Sequence, residues 1–271
     1  MSRIESKYFT LQETISQEQL DFFNINGFIL FKNFISKETT DLYKSEMERV
    51  GSEWIKDGKE KVNGIPIKYG KDQEGNKIVQ RFCFLSQYSQ VLHDLLESTQ
   101  MNMLPTFLEP YEGRIGENEK DGLVLNNYLR TPDSTFTHMG WHTDSPRDLF
   151  LGQKIMPMLN VGIHLDDCPF ANGGLRVLPG THKQGFFKLM FGKKYYVDNS
   201  ADKLEVGFNI EAGDLTIHDG RIWHRVEPSP FTGTKSQRRV MYVPVVTGKY
   251  MPKSQNSKTP FYHRFSKKAH H

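Results

Sequence analysis

The residues of this chain with the clearest chemical potential lie in Gly140-Trp141-His142-Thr143-Asp144. Alternate residues of a strand face the same side, so His142 and Asp144 would project together and Thr143 away from them. An imidazole and a carboxylate on one face supply two adjacent metal ligands. A third is available from His224, in the later segment Thr216-Ile217-His218-Asp219-Gly220-Arg221-Ile222-Trp223-His224. Two histidines and one carboxylate form a facial triad that leaves coordination positions open, the arrangement of non-haem Fe(II) oxygenases. A lone His-x-Asp is more often structural. Here a second histidine follows, and then an arginine. His218 competes as the distal ligand but ranks second, because the arginine then falls at a less suitable distance.

That arginine lies in Ser236-Gln237-Arg238-Arg239-Val240-Met241-Tyr242-Val243. A dicarboxylate co-substrate that chelates iron at one end needs a cation at the other, and a guanidinium binds a carboxylate through two parallel hydrogen bonds. Alternation places Arg238, Val240 and Tyr242 on one face and Arg239, Met241 and Val243 on the other. The sequence leaves open which face is inward, so Arg239 stands as the alternative to Arg238. Asn126 and Tyr128 share a strand face before the triad and are candidates for lining the pocket near the co-substrate. Arg147, in the loop after the triad, is a candidate for meeting an anionic substrate, although loop arginines are usually solvated. His164 and His182 read as structural. Trp141 and Trp223 each abut a proposed ligand and read as walls against water or as core packing.

The elements that must position these residues change character along the chain. Ser16 and Gln19 fit a capping box ahead of Leu20, Phe22 and Phe23, and Gly27 closes that helix. Phe28-Ile29-Leu30-Phe31 reads as a short buried strand. Ser36 caps a helix to roughly Lys56, and Tyr88 to Thr99 reads as another. Residues 56–77 and 188–206 read as surface excursions. From about residue 122 short apolar runs alternate with turn residues such as Asn172-Gly173-Gly174 and Pro179-Gly180, the pattern of an antiparallel sandwich or barrel. The expected plan is a single domain over 1–271, with helical support at about 16–100 and a β core at about 122–250.

Hydrophobic residues make up 37% and charged residues 25% of the 271, the ordinary balance of a soluble globular protein. A net charge of +3 is too small to imply nucleic acid or membrane as a partner. The basic, His-bearing end (Lys267, Lys268, His270, His271) reads as a mobile tail. Cys83 and Cys168 form no CxxC pair and fit a reducing compartment. The opening segment has no apolar leader and no long apolar run occurs, so a cytoplasmic location is expected.

Together these segments resemble the phytanoyl-CoA dioxygenase family, which includes ectoine hydroxylases. The resemblance rests on Trp141-His142-Thr143-Asp144, Leu165-Asp166-Asp167, Asn172-Gly173-Gly174-Leu175-Arg176-Val177-Leu178-Pro179-Gly180-Thr181-His182, Gly213-Asp214-Leu215, His224 and Arg238, with Asn26-Gly27-Phe28-Ile29-Leu30 near the start. It covers roughly residues 16–246. It implies a mainly β fold with flanking helices, built on a double-stranded β-helix (a cupin-like jelly-roll). It also implies Fe(II) on His142, Asp144 and His224, 2-oxoglutarate with its C5 carboxylate on Arg238, and O2 as oxidant. The implied reaction oxidises a small-molecule substrate, most simply by hydroxylation, with release of succinate and CO2.

The chain departs from the family in two places. Val226 stands where a serine often helps to hold the C5 carboxylate, which leaves Thr216 or Tyr242 to supply a hydroxyl. The interval from His224 to Arg238 is also somewhat longer than usual, and the turn through Pro228–Gly233 can absorb it. Asp144 itself disfavours halogenation, because related halogenases carry a small residue there. A zinc hydrolase or a non-catalytic jelly-roll are the competing readings. Neither the prime substrate nor the oligomeric state is legible. The substrate-choosing loops are expected near 56–77, 145–155 and 188–206, where Lys188, Lys193 and Lys194 read as a solvated face.

Overall fold

The computed structural model describes residues 7–132, 134, 136–145 and 154–260. Arg147, most of the 145–155 loop and the basic C-terminal tail lie outside the described residues.

Helix α1 (Gln17–Asn26) has the expected capping box: Ser16 Oγ accepts from Gln19 N–H, and Gln19 Oε1 accepts from Ser16 N–H. Gly27 ends it in the left-handed region at φ 79°. Only glycine fits there, since a Cβ would lie 2.3 Å from His182 Nδ1. Strand β1 (Phe28–Phe31) follows, and Ser36 then caps α2 (Lys37–Lys56).

The 56–77 segment departs from the expected excursion. It forms a ladder of β2 (Lys61–Val62) and β3 (Ile65–Pro66), then β4 (Lys68–Lys71), which pairs with β5 (Lys77–Phe82). Val62, Ile65 and Ile67 are buried and tie it to the core. The helix expected over Tyr88–Thr99 is also broken, into α3 (Gln90–Leu96) and α4 (Thr99–Met103). Each starts at its own serine, Ser89 and Ser98, whose side chains accept from Leu92 N–H and Met101 N–H.

The remaining strands are β6 (Arg114–Ile115), β7 (Val124–Tyr128), β8 (Met139–His142), β9 (Met158–His164), β10 (Gly174–Val177), β11 (Val206–Gly207), β12 (Leu215–Asp219), β13 (His224–Glu227) and β14 (Arg238–Val246). A short helix, α5 (Phe186–Phe191), lies in the 188–206 region. The major sheet runs β1-β12-β9-β14-β7-β5-β4, with β6 on the end of β14, and the minor sheet runs β11-β10-β13-β8. Strands from the helical third thus extend both edges of the major sheet, so helices and strands interleave.

Two side-chain layers result. Leu159, Val161 and Ile163 of β9, Leu215 and Ile217 of β12, and Met241, Val243 and Val245 of β14 share one cluster with Val50, Trp54 and Leu92 of the helices. The opposite face meets the minor sheet. Phe28 and Leu30 pack with Leu175 and Val177, and Tyr128 and Val240 pack with Val226. Two facing sheets with helices on one outer face make the jelly-roll that the family resemblance implied.

Candidate active site

His142 ends β8 and His224 begins β13, and the two are direct cross-strand partners. Paired residues share a face, so both imidazoles enter the lumen, with ring centroids 4.1 Å apart. Asp144 lies just past the end of β8 rather than on it. Strand alternation therefore does not hold it. Backbone bonds do: Asp144 N–H and Ser145 N–H both donate to Gly220 O, at 2.8 and 3.0 Å. His142 Nε2 lies 4.0 Å from Asp144 Oδ1, and His224 Nε2 lies 3.9 Å from Asp144 Oδ2. One donor atom from each of the three falls within 4.8 Å of the others.

The donors suit a divalent iron ion. His142 Nδ1 bonds Gly140 O at 2.8 Å and His224 Nδ1 bonds Ile222 O at 3.1 Å. Carbonyls only accept, so each Nδ1 carries the proton and each Nε2 presents a lone pair to the lumen. Asn160 on β9 donates to Asp144 Oδ2 at 3.1 Å. Burial opposes the charge on Asp144, but the imidazoles of His218, His224 and His142 outweigh it and hold the carboxyl well below the usual carboxylate range. Burial, with His142 and His218 close by, keeps His224 neutral.

His218 on β12 also faces this cluster. It is 1% exposed, its Nε2 is 3.8 Å from Asp144 Oδ2, and neither ring nitrogen has a hydrogen-bond partner among the described residues. It stands beside the triad rather than within the three-donor group.

The arginine pair divides across β14. Arg239 faces the helices, where Asp166 takes its Nε and Nη2 at 2.8 and 2.6 Å. Arg238 faces the lumen and is 5% exposed. Its guanidinium donates to the carbonyls of Glu227 and Thr137, and its carbon lies 5.4 Å from the centroid of the Tyr128 ring. Nε has no partner, and no carboxylate pairs with this cation among the described residues. Gly173 and Gly174, with φ of 80° and 90°, make room for it: a Cβ on Gly173 would lie 3.0 Å from Arg238 Nη1.

Between triad and surface runs a cleft bordered by Asn126, Tyr128, Val226 and Tyr242, with Arg81 and Asp121 paired at 2.6 Å nearer its rim. Asn126 Nδ2 donates to the Tyr128 hydroxyl at 3.2 Å, and Asn126 Oδ1 has no partner among the described residues. Burial pushes the Tyr128 phenol up to about 12 and raises Tyr242 well above its ordinary value, so both stay protonated donors. Of the two hydroxyls considered in place of the serine, Tyr242 borders this cleft, whereas Thr216 Oγ1 bonds His164 Nε2 at 3.0 Å.

Other family-like residues are structural. Asp214 binds Lys32 Nζ, Asn33 N–H and Glu211 N–H, and Asp167 accepts from Ala212 N–H. His182 bonds Asn24 O. Trp141 and Trp223 cluster with Leu178 and Tyr195 on the outer side of the minor sheet, so they brace the segment beyond it rather than wall the lumen. Sequence reasoning missed Asn160, although its alternation with Leu159 and Val161 marks the lumen face of β9. It also missed Tyr196, which stacks on His142 at 4.9 Å and 25° and carries no local signal.

A jelly-roll that points two histidines and a carboxylate into its lumen defines the architectural class of the mononuclear non-haem iron oxygenases. A sequence model of the phytanoyl-CoA dioxygenase family (PhyH) matches residues 23–232, and the chain belongs to that family. The phytanoyl-CoA dioxygenase domain-containing protein 1 homolog of Dictyostelium discoideum is 24% identical over 255 residues, spanning 79% of this chain and 86% of the relative. The fold is similar to SnoK, a non-heme alpha ketoglutarate dependent carbocyclase from nogalamycin biosynthesis (TM-score 0.63, 15% identity, 94% of this chain and 92% of that one). It is also similar to HygX of Streptomyces hygroscopicus, solved with nickel and 2-oxoglutarate bound (0.61, 17%, 88% and 90%), and to EvdO2 of Micromonospora carbonacea var. aurantiaca complexed with 2-oxoglutarate (0.59, 14%, 90% and 97%).

Proposed function

We propose that this protein is an Fe(II)- and 2-oxoglutarate-dependent dioxygenase that hydroxylates a small molecule, with iron on His142, Asp144 and His224 and the co-substrate anchored by Arg238. The observation that carries the reading is a lumen holding both the His142–Asp144–His224 donor cluster, each histidine with its Nδ1 on a backbone carbonyl, and a buried guanidinium that no carboxylate among the described residues pairs. A buried cation without a counterion is costly, and a dicarboxylate that reaches it from the metal supplies the missing charge.

Iron held there supplies the redox chemistry that couples decarboxylation of 2-oxoglutarate to oxidation of a C–H bond. The chain's own residues prepare for it. Gly140 O and Ile222 O fix the tautomers of His142 and His224. Asn160 donates to Asp144 Oδ2 and so orients the carboxylate that would hold the metal with His142 and His224. Val226, Phe136 and Val240 make a dry wall beside Arg238 and Tyr128, which strengthens a charge-assisted bond to Arg238. Tyr242, Tyr128 and Asn126 offer hydrogen bonds along the approach. A zinc hydrolase would need a general base beside its water, and Asp166 and Asp167 are engaged by Arg239 and Ala212 away from the lumen.

The test uses anaerobically purified protein given Fe(II) and 2-oxoglutarate, then oxygen, with succinate quantified with and without candidate substrates. Iron-dependent succinate that collapses in Arg238→Ala supports the reading. No succinate together with no 2-oxoglutarate binding by calorimetry removes it.

A further inference from the structure

The whole-chain charge of +3 conceals an uneven distribution. From Cys168 through Val197 the sequence contains no Asp or Glu, yet it holds Arg176, Lys183, Lys188, Lys193 and Lys194. Within that stretch, helix α5 is fixed to the body through Leu189, its buried residue. The segment after it is fixed too. Tyr195 stacks on Trp223 at 4.7 Å and bonds Thr143 Oγ1 at 2.7 Å, and residues 196–198 exchange backbone bonds with Trp141. Gly140 permits this approach, since a Cβ there would lie 2.6 Å from Tyr196 O.

On this anchored base the helix turns its largest apolar side chains outward. Phe187 and Phe191 are 78% and 75% exposed, and Phe186 and Val197 are exposed beside them. Contiguous exposed aromatics on a soluble fold mark a contact surface. Lys183, Lys188 and Lys194 are exposed at its margin, and Lys193 is held by Asp202 and lies over Trp141. Phe side chains that wedge into the headgroup boundary, flanked by exposed lysines, form the pattern of an interfacial segment on an anionic bilayer.

We infer that the α5 segment docks this protein onto anionic lipid surfaces, with Phe186, Phe187 and Phe191 inserted and Lys183, Lys188 and Lys194 on phospholipid headgroups. Docking there brings the triad's side of the molecule to the membrane, because the same segment carries Tyr196 on His142. Among the described residues no helix is long and apolar enough to cross a membrane, so the contact is peripheral. The inference stands apart from the oxygenase reading, since lipid binding is measured without turnover.

The full chain is to be sedimented with phosphatidylcholine vesicles, with and without phosphatidylserine, at low and high salt. Two double variants run in parallel, Phe187→Ser with Phe191→Ser, and Lys188→Glu with Lys194→Glu, each checked for folding by circular dichroism and for size by gel filtration. The expected result is binding to the serine-containing vesicles that salt weakens and that each variant lowers by at least about tenfold. Absence of wild-type binding, or equal binding by folded variants, overturns the inference. So does a wild-type dimer that the Phe variants dissociate while neither form binds vesicles, because the patch then covers a second copy of the chain.

Discussion

On β9, Leu159, Val161 and Ile163 are wholly buried against the helices, while the interleaved Asn160, Gly162 and His164 face the lumen. The same alternation runs along β12 and β14: Ile217 against His218, Met241 against Tyr242. The helix side is apolar and close-packed. The lumen side holds polar atoms on Asn126, His218 and Arg238 that have no partner among the described residues. An ion and a co-substrate in the lumen would satisfy these atoms, which cost free energy while unsatisfied. One face of the major sheet therefore carries stability and the other carries chemistry, and substitutions on the two faces should separate cleanly.

The largest separation is expected at the triad. Asp144→Ala should lower iron-dependent succinate formation by more than about 100-fold, beyond the usual effect of an outer-shell change, with the thermal midpoint of the metal-free protein little altered. A large loss of midpoint would mean that the lumen face bears stability too. On the other face, Ile163→Ala should cost about 2–5 kcal/mol in denaturant unfolding while Fe(II) affinity at low temperature holds. Arg238→Ala should weaken 2-oxoglutarate binding by about 10–100-fold, and Arg239→Ala much less, as calorimetry would show. Equal effects would erase the distinction between the faces of β14. Asn160→Ala should reduce metal affinity by about tenfold, read by competition with a chromophoric chelator.

The remaining prediction concerns pH dependence. Burial pushes His164 down to about 3 from an ordinary 6.5. As pH falls through 6.5 the unfolded chain takes up a proton that the folded His164 refuses until about 3. Its contribution is thus complete above 6.5 and is lost progressively across that window, at up to about 1.4 kcal/mol per pH unit. His164→Asn should flatten the acid limb of the stability profile. An unchanged limb would mean that His164 is protonated in the fold.

The alternating runs from Val124 onward and the capping serines at 16 and 36 were legible, because strand period and cap chemistry are local. The segment at 56–77 was not. Its short strands are held by Val62, Ile65 and Ile67 in a core assembled from distant residues, and its local composition is that of a loop. The break between α3 and α4 was legible in principle, since Ser89 and Ser98 are both cap residues within one apolar run.

The sequence by itself determined which side chains exist to be assembled, His142, Asp144, His224 and an arginine at 238 or 239, and which strands alternate. Only the tertiary structure decided which face of each strand is the lumen. That choice depends on where the helices lie, and so it turned Arg238 inward and bound Arg239 to Asp166. Tertiary structure also made His142 and His224 cross-strand partners, held Asp144 by Gly220 beyond its strand, and set His218 beside them. Pairing register and sheet order are non-local, and no spacing within one segment encodes them.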